Sequence, residues 1–206
     1  MPPKLTAGTG IDALSHAIEA YLSTWSNPIL DSIALTAISL IFKYLRKDYR
    51  DGGNSEARYY MSMAATAAGI PLCSAGVLVG HSIAQAFAPL KKIHHGLSCG
   101  IVLPYIVEFY IPSSKHKIVK IADAIGIDVS NVDLDKASHV VVKEIFRLLS
   151  DLEIPLSLRE LSITRDQLPY IAKTALKNWP RPNSPRPLNY ENVLGLVEKI
   201  WYGKQF

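Results

Sequence analysis

GTGIDALSHAIEAY, residues 8–21, is the stretch from which the rest of the chain can be read. Ile11, Leu14, Ala17, Ile18 and Leu22 recur at intervals of three and four, the stripe of an amphipathic α-helix. A start near Thr9 or Gly10 is expected, with the helix running Ile11–Leu22. On such a helix Asp12 and His16 lie four positions apart and share one face, one turn from each other. Taken alone, that pair describes a surface pair or a cap better than a metal site.

A second stretch, GHSIAQAFAPLKKIHHG at 80–96, carries His81 and His95 fourteen positions apart. In one unbroken helix they would stand ~21 Å apart and could not share an ion. Pro89 lies between them and is expected to end one helix so that the chain folds back. Gly96 gives the backbone room to turn close to a ligand. Spacing alone does not separate His95 from its neighbour His94, and a core or surface histidine is the plain alternative for each. Three imidazoles and one carboxylate suit a divalent transition metal such as zinc or ferrous iron. An open coordination position on such an ion polarises an alcohol or carbonyl oxygen.

The remaining pattern is helical throughout. Pro28 suits the first turn of a helix that carries Asp31–Tyr49, apolar on most of its circumference and therefore expected to be central. Ser55–Ala68 is a further helix, and HHGLSCGIVLPYIVEFY another, with a kink or break expected at Pro104. Ser113–Ile125 and Asp133–Leu152 follow by period, Thr164 caps a later helix, and Asn189 caps the last, YENVLGLVEKIWYG. NWPRPNSPRP at 178–187 reads as a packing loop, and Trp25, Trp179 and Trp201 as core aromatics. Nothing alternates at period two for more than a few residues. The expectation is one all-α bundle over 1–206, with no Rossmann sheet and no internal repeat.

With 206 residues, 49% apolar and 19% charged, the chain is of ordinary globular composition. Its net charge of +4 is scattered, with no basic block interleaved with aromatics, so nucleic acid is not an expected partner. Cys73 and Cys99 form no CxxC pair, MPPKLTAGTG has no apolar core of a signal peptide, and no uninterrupted apolar run approaches a membrane span. A reduced cytoplasmic setting with no membrane partner is expected.

LTAGTGIDALSHAIEAY resembles the signature of the iron-containing, or group III, alcohol dehydrogenases. GxxxGHSIAQAFAPLKKIHHG resembles that family's second histidine segment, and NSPRPLNYENVLGLVEKIW its closing loop and helix. The likeness spans essentially the whole chain. It implies the helical C-terminal domain of the dehydroquinate synthase-like fold. It also implies one divalent metal, Fe2+ first and Zn2+ as the alternative, on Asp12, His16, His81 and His95. The family's last ligand is the histidine directly before glycine, which selects His95 over His94. The implied reaction is NAD(P)-linked oxidation of a small alcohol or reduction of an aldehyde, and the implied assembly a homo-oligomer. A glycerol-dehydrogenase-like or maleylacetate-reductase-like relative, and a non-catalytic metal-stapled helical domain acting as remnant or partner subunit, are the rival readings.

Two departures from the family pattern matter. Where the family carries a histidine four residues after the third ligand, this chain has Gln85, a candidate catalytic position that cannot shuttle a proton as imidazole does. Gly8-x-Gly10 follows no strand and does not replace a glycine-rich phosphate loop. The N-terminal nucleotide-binding domain is therefore expected outside these residues, with no cofactor-binding residue assigned within them. A longer protein, a separate nucleotide-binding chain or loss in a remnant would each account for that. Glu19 is read as a solvated glutamate or ion-pair partner in preference to an acceptor for a histidine N–H, and Lys91 and Lys92 as exposed loop charges.

Overall fold

Pro3 opens the first helix, α1 (Pro3–Leu22), well ahead of the start expected near Thr9. Its φ is preset for a first helical turn, and the Pro2 carbonyl accepts from the Leu5 and Thr6 N–H groups. Gly8 and Gly10 lie inside this helix because neighbours press on it. A Cβ at Gly10 would stand 2.3 Å from Leu45 Cδ1. These glycines serve helix packing and form no turn.

The computed structural model describes residues 1–203, and among them there are eight α-helices, one short 3-10 turn and no strand. After α1 come α2 (Pro28–Arg50), α3 (Ser55–Ala75), α4 (Val79–Lys91), α5 (His95–Ala124), α6 (Leu134–Asp151), α7 (Leu168–Asn178) and α8 (Tyr190–Tyr202). The fold is all-α, as the periodicity predicts. Every α-helix contributes to one large cluster of buried apolar side chains.

The centre of the bundle is α5. It packs on α1, α4, α6 and α8, and Ile101, Val102, Leu103, Tyr105, Ile106 and Val107 are all buried. The expected break at Pro104 does not occur; the only non-helical backbone inside α5 is at Ser114, just after Pro112. Burial on several sides holds the helix through the hydrogen bond that Pro104 cannot make. By contrast α2, expected to be central, buries a single stripe that includes Ala34, Ile38, Ile41 and Leu45, and packs on α1 and α3.

Helical continuity changes one more expectation. The interrupted apolar runs join so that α2 and α5, with mean hydropathies of 1.5 and 1.3, are long and apolar enough to cross a membrane by length and composition. In α5, 72% of that apolar window is buried against the rest of the fold. In α2 the apolar stripe packs on α1 and α3.

Two reversals position the site. Gly76, at φ 69°, ends α3, and α4 leaves at 105° to it. The second reversal lies past Pro89, which sits within α4: Lys92 adopts the left-handed conformation (φ 51°, ψ 43°) and α5 starts at His95. The proline-rich loop is anchored by Asn183, whose Nδ2 donates to Ser23 Oγ at 3.0 Å, to Ala75 O at 2.8 Å and to Val77 O at 3.2 Å. Trp25 is exposed, against the core role expected of it, whereas Trp179 and Trp201 pack on the core.

Candidate metal centre

Three helices bring the four residues together. Asp12 and His16 come from the middle of α1, His81 from the first turn of α4, and His95 from the first residue of α5. The Asp12 Oδ1 atom lies 3.8 Å from His16 Nε2, 3.8 Å from His81 Nε2 and 3.7 Å from His95 Nε2. These separations are too long for hydrogen bonds. They are close to the edges, about 3.4 Å, of a tetrahedron with metal–ligand bonds near 2.1 Å. Both Asp12 Oδ1 and His81 Nε2 are buried and lack a hydrogen-bond partner. Leaving two such atoms unsatisfied is costly, and a cation placed among them removes the cost. The donor set therefore fits a divalent metal. His94 caps the start of α5, its ring lying where a Cβ on Gly8 would touch it.

Glycines make the convergence sterically feasible. A Cβ at Gly96 would fall 2.1 Å from the Gly8 carbonyl oxygen, and one at Gly100 would fall 2.6 Å from Ile11 Cγ2. These residues let α5 approach α1 closely enough for His95 to face Asp12.

Glu19, one turn beyond His16 on α1, is fully buried and was undervalued from sequence. Its Oε1 lies 2.8 Å from His81 Nδ1, and its Oε2 accepts from the Leu78 N–H at 2.6 Å. One carboxylate thus orients the imidazole and also caps the start of α4, where the helix dipole favours negative charge. With Nδ1–H donated to Glu19, Nε2 is the atom His81 turns to the centre, and release of its proton frees the lone pair for an ion. A Cβ at Gly80 would meet Glu19 Oε1 at 2.6 Å, so this position also needs glycine.

The electrostatics follow from this packing. Burial pushes the Asp12 carboxyl up, but the imidazoles around it, His81 first, outweigh burial and hold it below the ordinary value. His16 is pulled down, mainly by burial. Burial also pulls His81 down, but Glu19 and Asp12 overcome it and hold its imidazole well above the ordinary histidine value.

Gln85 lies one turn after His81 on α4, and its Oε1 is buried without a hydrogen-bond partner. Lys91 and Lys92 are exposed, as expected. Sequence reading missed Cys99. It is buried, and its Sγ lies 3.5 Å from His95 Nε2. Its donor atom and those of Asp12, His81 and His95 all lie within 4.8 Å of one another. The available signal was its spacing: Cys99 follows His95 by four, just as His16 follows Asp12.

This centre, on this fold, is accompanied by a match to a family model over nearly the whole chain. Residues 6–201 match the Fe-containing alcohol dehydrogenase family, C-terminal. The chain belongs to the iron-containing alcohol dehydrogenases. It is 33% identical over 200 residues to 1,3-propanediol dehydrogenase of Klebsiella pneumoniae, covering 97% of this chain and 52% of that protein. To choline dehydrogenase of Bacillus subtilis it is 35% identical over 189 residues, 92% of this chain and 47% of that one. The crystal structure of a 1,3-propanediol oxidoreductase superposes with a TM-score of 0.93 at 33% identity, over 96% of this chain and 52% of that one. The chain thus spans about half the length of the curated relatives it matches.

Proposed function

We propose that residues 1–206 form the metal-binding half of an NAD(P)-linked alcohol dehydrogenase acting on a small alcohol or aldehyde in the cytoplasm. Asp12, His16, His81 and His95 would hold one divalent ion, Fe2+ first and Zn2+ second. The observation that carries this reading is Asp12 Oδ1, a buried acceptor without a partner, surrounded by three imidazole Nε2 atoms at 3.7–3.8 Å. When bound, the metal supplies Lewis acidity that lowers the pKa of the substrate alcohol.

The protein's own groups do the rest. Asp12 contributes the negative charge that partly neutralises a dication. Glu19 fixes the tautomer and ring orientation of His81. Gln85 is placed one turn from His81 to hydrogen-bond substrate or a cofactor amide, a role that needs no proton transfer. No strand–glycine loop–helix unit occurs among the described residues, so the nicotinamide nucleotide is assigned to a domain outside residues 1–206. Tyr59, Met63 and Ile70 present an exposed apolar stripe on α3, which supports a homo-oligomeric or partner contact.

The test is elemental analysis of the wild-type chain and of the Asp12→Ala and His81→Ala variants. One metal per wild-type chain and a large loss in both variants is expected. Turnover is then measured with the nucleotide-binding half supplied in the same polypeptide or as a separate chain. Stoichiometric metal without turnover in either format would favour the metal-stapled, non-catalytic domain.

A further inference from the structure

Cys99 faces the same centre as the four expected ligands. The α5 helix that carries it is locked against α1 by the Gly96–Gly8 and Gly100–Ile11 contacts, so the thiol cannot move away by a shift of the helix. Its Sγ lies 3.5 Å from His95 Nε2. A tetrahedral ion bound by a thiolate at about 2.3 Å and an imidazole at about 2.05 Å would separate sulfur and nitrogen by about 3.5 Å. Two buried atoms nearby, Asp12 Oδ1 and His81 Nε2, lack hydrogen-bond partners and point to an ion.

We propose that Cys99 is an inner-sphere ligand of this centre for thiophilic divalent ions, zinc and cobalt, which take Asp12, His81, His95 and Cys99 as a tetrahedral set and leave His16 outside it. This rests on reading the centre as a metal site and deepens it: the Asp12, His16, His81 and His95 set serves ferrous iron, and the thiol offers zinc and cobalt a second set at the same place. Imidazole and carboxylate donors serve ferrous iron and zinc alike, whereas a thiolate shifts preference towards zinc, cobalt and cadmium. Coordination breaks the S–H bond, forms the metal–sulfur bond and passes the proton to solvent, with no change of oxidation state.

Cobalt(II) titration of the metal-free chain tests the proposal, with the near-ultraviolet thiolate-to-cobalt charge-transfer band as the readout. One cobalt per chain with that band is expected, with the band abolished in Cys99→Ser and in Cys99→Ala. It should be retained in Cys73→Ser, the variant of the exposed thiol, and in His16→Ala. Cadmium NMR of the wild-type protein gives the same answer without a variant, since a thiolate ligand moves the cadmium resonance far downfield. Stoichiometric cobalt with no charge-transfer band, and cadmium at the shift of nitrogen and oxygen ligands, would overturn the role of Cys99 and leave the four-ligand centre standing. Failure of the chain to bind cobalt, zinc or iron would overturn the metal centre as well. A band that persists in both Cys99 variants also defeats the proposal.

Discussion

Glu19 Oε1 lies 2.8 Å from His81 Nδ1, and both side chains are almost entirely buried. The second oxygen of the same carboxylate accepts from the Leu78 N–H at 2.6 Å. The carboxylate therefore joins three events: the start of α4, the tautomer of His81, and the direction in which Nε2 faces Asp12. Glu19→Gln keeps the shape but turns one acceptor into a donor facing either the imidazole N–H or the Leu78 N–H. Metal affinity is expected to fall by about 10–100-fold, and stability by about 2 kcal/mol. Competition against a chelator and chemical denaturation measure the two effects. Unchanged affinity would show that His81 is oriented without Glu19.

Removing the metal should loosen the fold. An ion held at 100 times its dissociation constant stabilises the native state by about 2.7 kcal/mol. For a domain of this size that corresponds to a melting point about 5–10 °C lower after chelation. Differential scanning fluorimetry with and without chelator, followed by re-addition of metal, is the measurement. An identical melting point in both states would mean that the ion is not bound by the folded chain.

Two glycine substitutions should move stability in opposite directions. Gly96→Ala drives a methyl into the Gly8 carbonyl oxygen, backbone against backbone, so α1 and α5 must separate. A loss of about 3 kcal/mol is expected, together with weaker metal binding as His95 retreats. Gly195→Ala lies on α8 with no neighbouring atom within 4 Å of the added methyl. It should stabilise by about 1 kcal/mol, because alanine loses less backbone entropy in a helix. Urea unfolding of both variants checks the pair.

Asn183→Ala removes three hydrogen bonds that fasten the proline-rich loop to the end of α1 and the α3–α4 turn. The loss should be about 2–3 kcal/mol. Limited proteolysis should then cleave within 178–187 faster than in the wild type, and equal rates would show the loop is held by other contacts.

Gln85→His introduces the imidazole that this chain lacks. In an enzyme that includes the nucleotide-binding half, the rate–pH profile should gain an inflection between about pH 5 and 8. A profile identical to that of the Gln85 enzyme would place this side chain away from the proton path.

Periodicity was sufficient for the helical class, and the cap at Asn189 and the helix start at Pro28 were legible because both depend on neighbours in sequence, whereas the cap supplied by Asn27 was found only in the structure. Prolines were less reliable. Pro89 and Pro104 both lie inside helices, since burial of the surrounding apolar residues outweighs one missing hydrogen bond. The reversal between His81 and His95 is made instead by Lys92 in a left-handed conformation, which no local preference of lysine would indicate.

The sequence by itself determined an all-α chain and a metal-type donor set, because helical spacing and ligand chemistry are local properties of residues. Through its family resemblance it also selected His95 over His94. Only the tertiary structure decided that His16, His81 and His95 all lie 3.7–3.8 Å from one oxygen of Asp12. Only the tertiary structure, too, placed Glu19 behind His81 and Cys99 beside His95. Those placements depend on how closely α1, α4 and α5 approach, which is set by contacts such as Gly8 against Gly96 between residues far apart in the chain. Burial then gives the same residue types new roles: a glutamate that would be solvated on an isolated helix becomes the acceptor that orients His81.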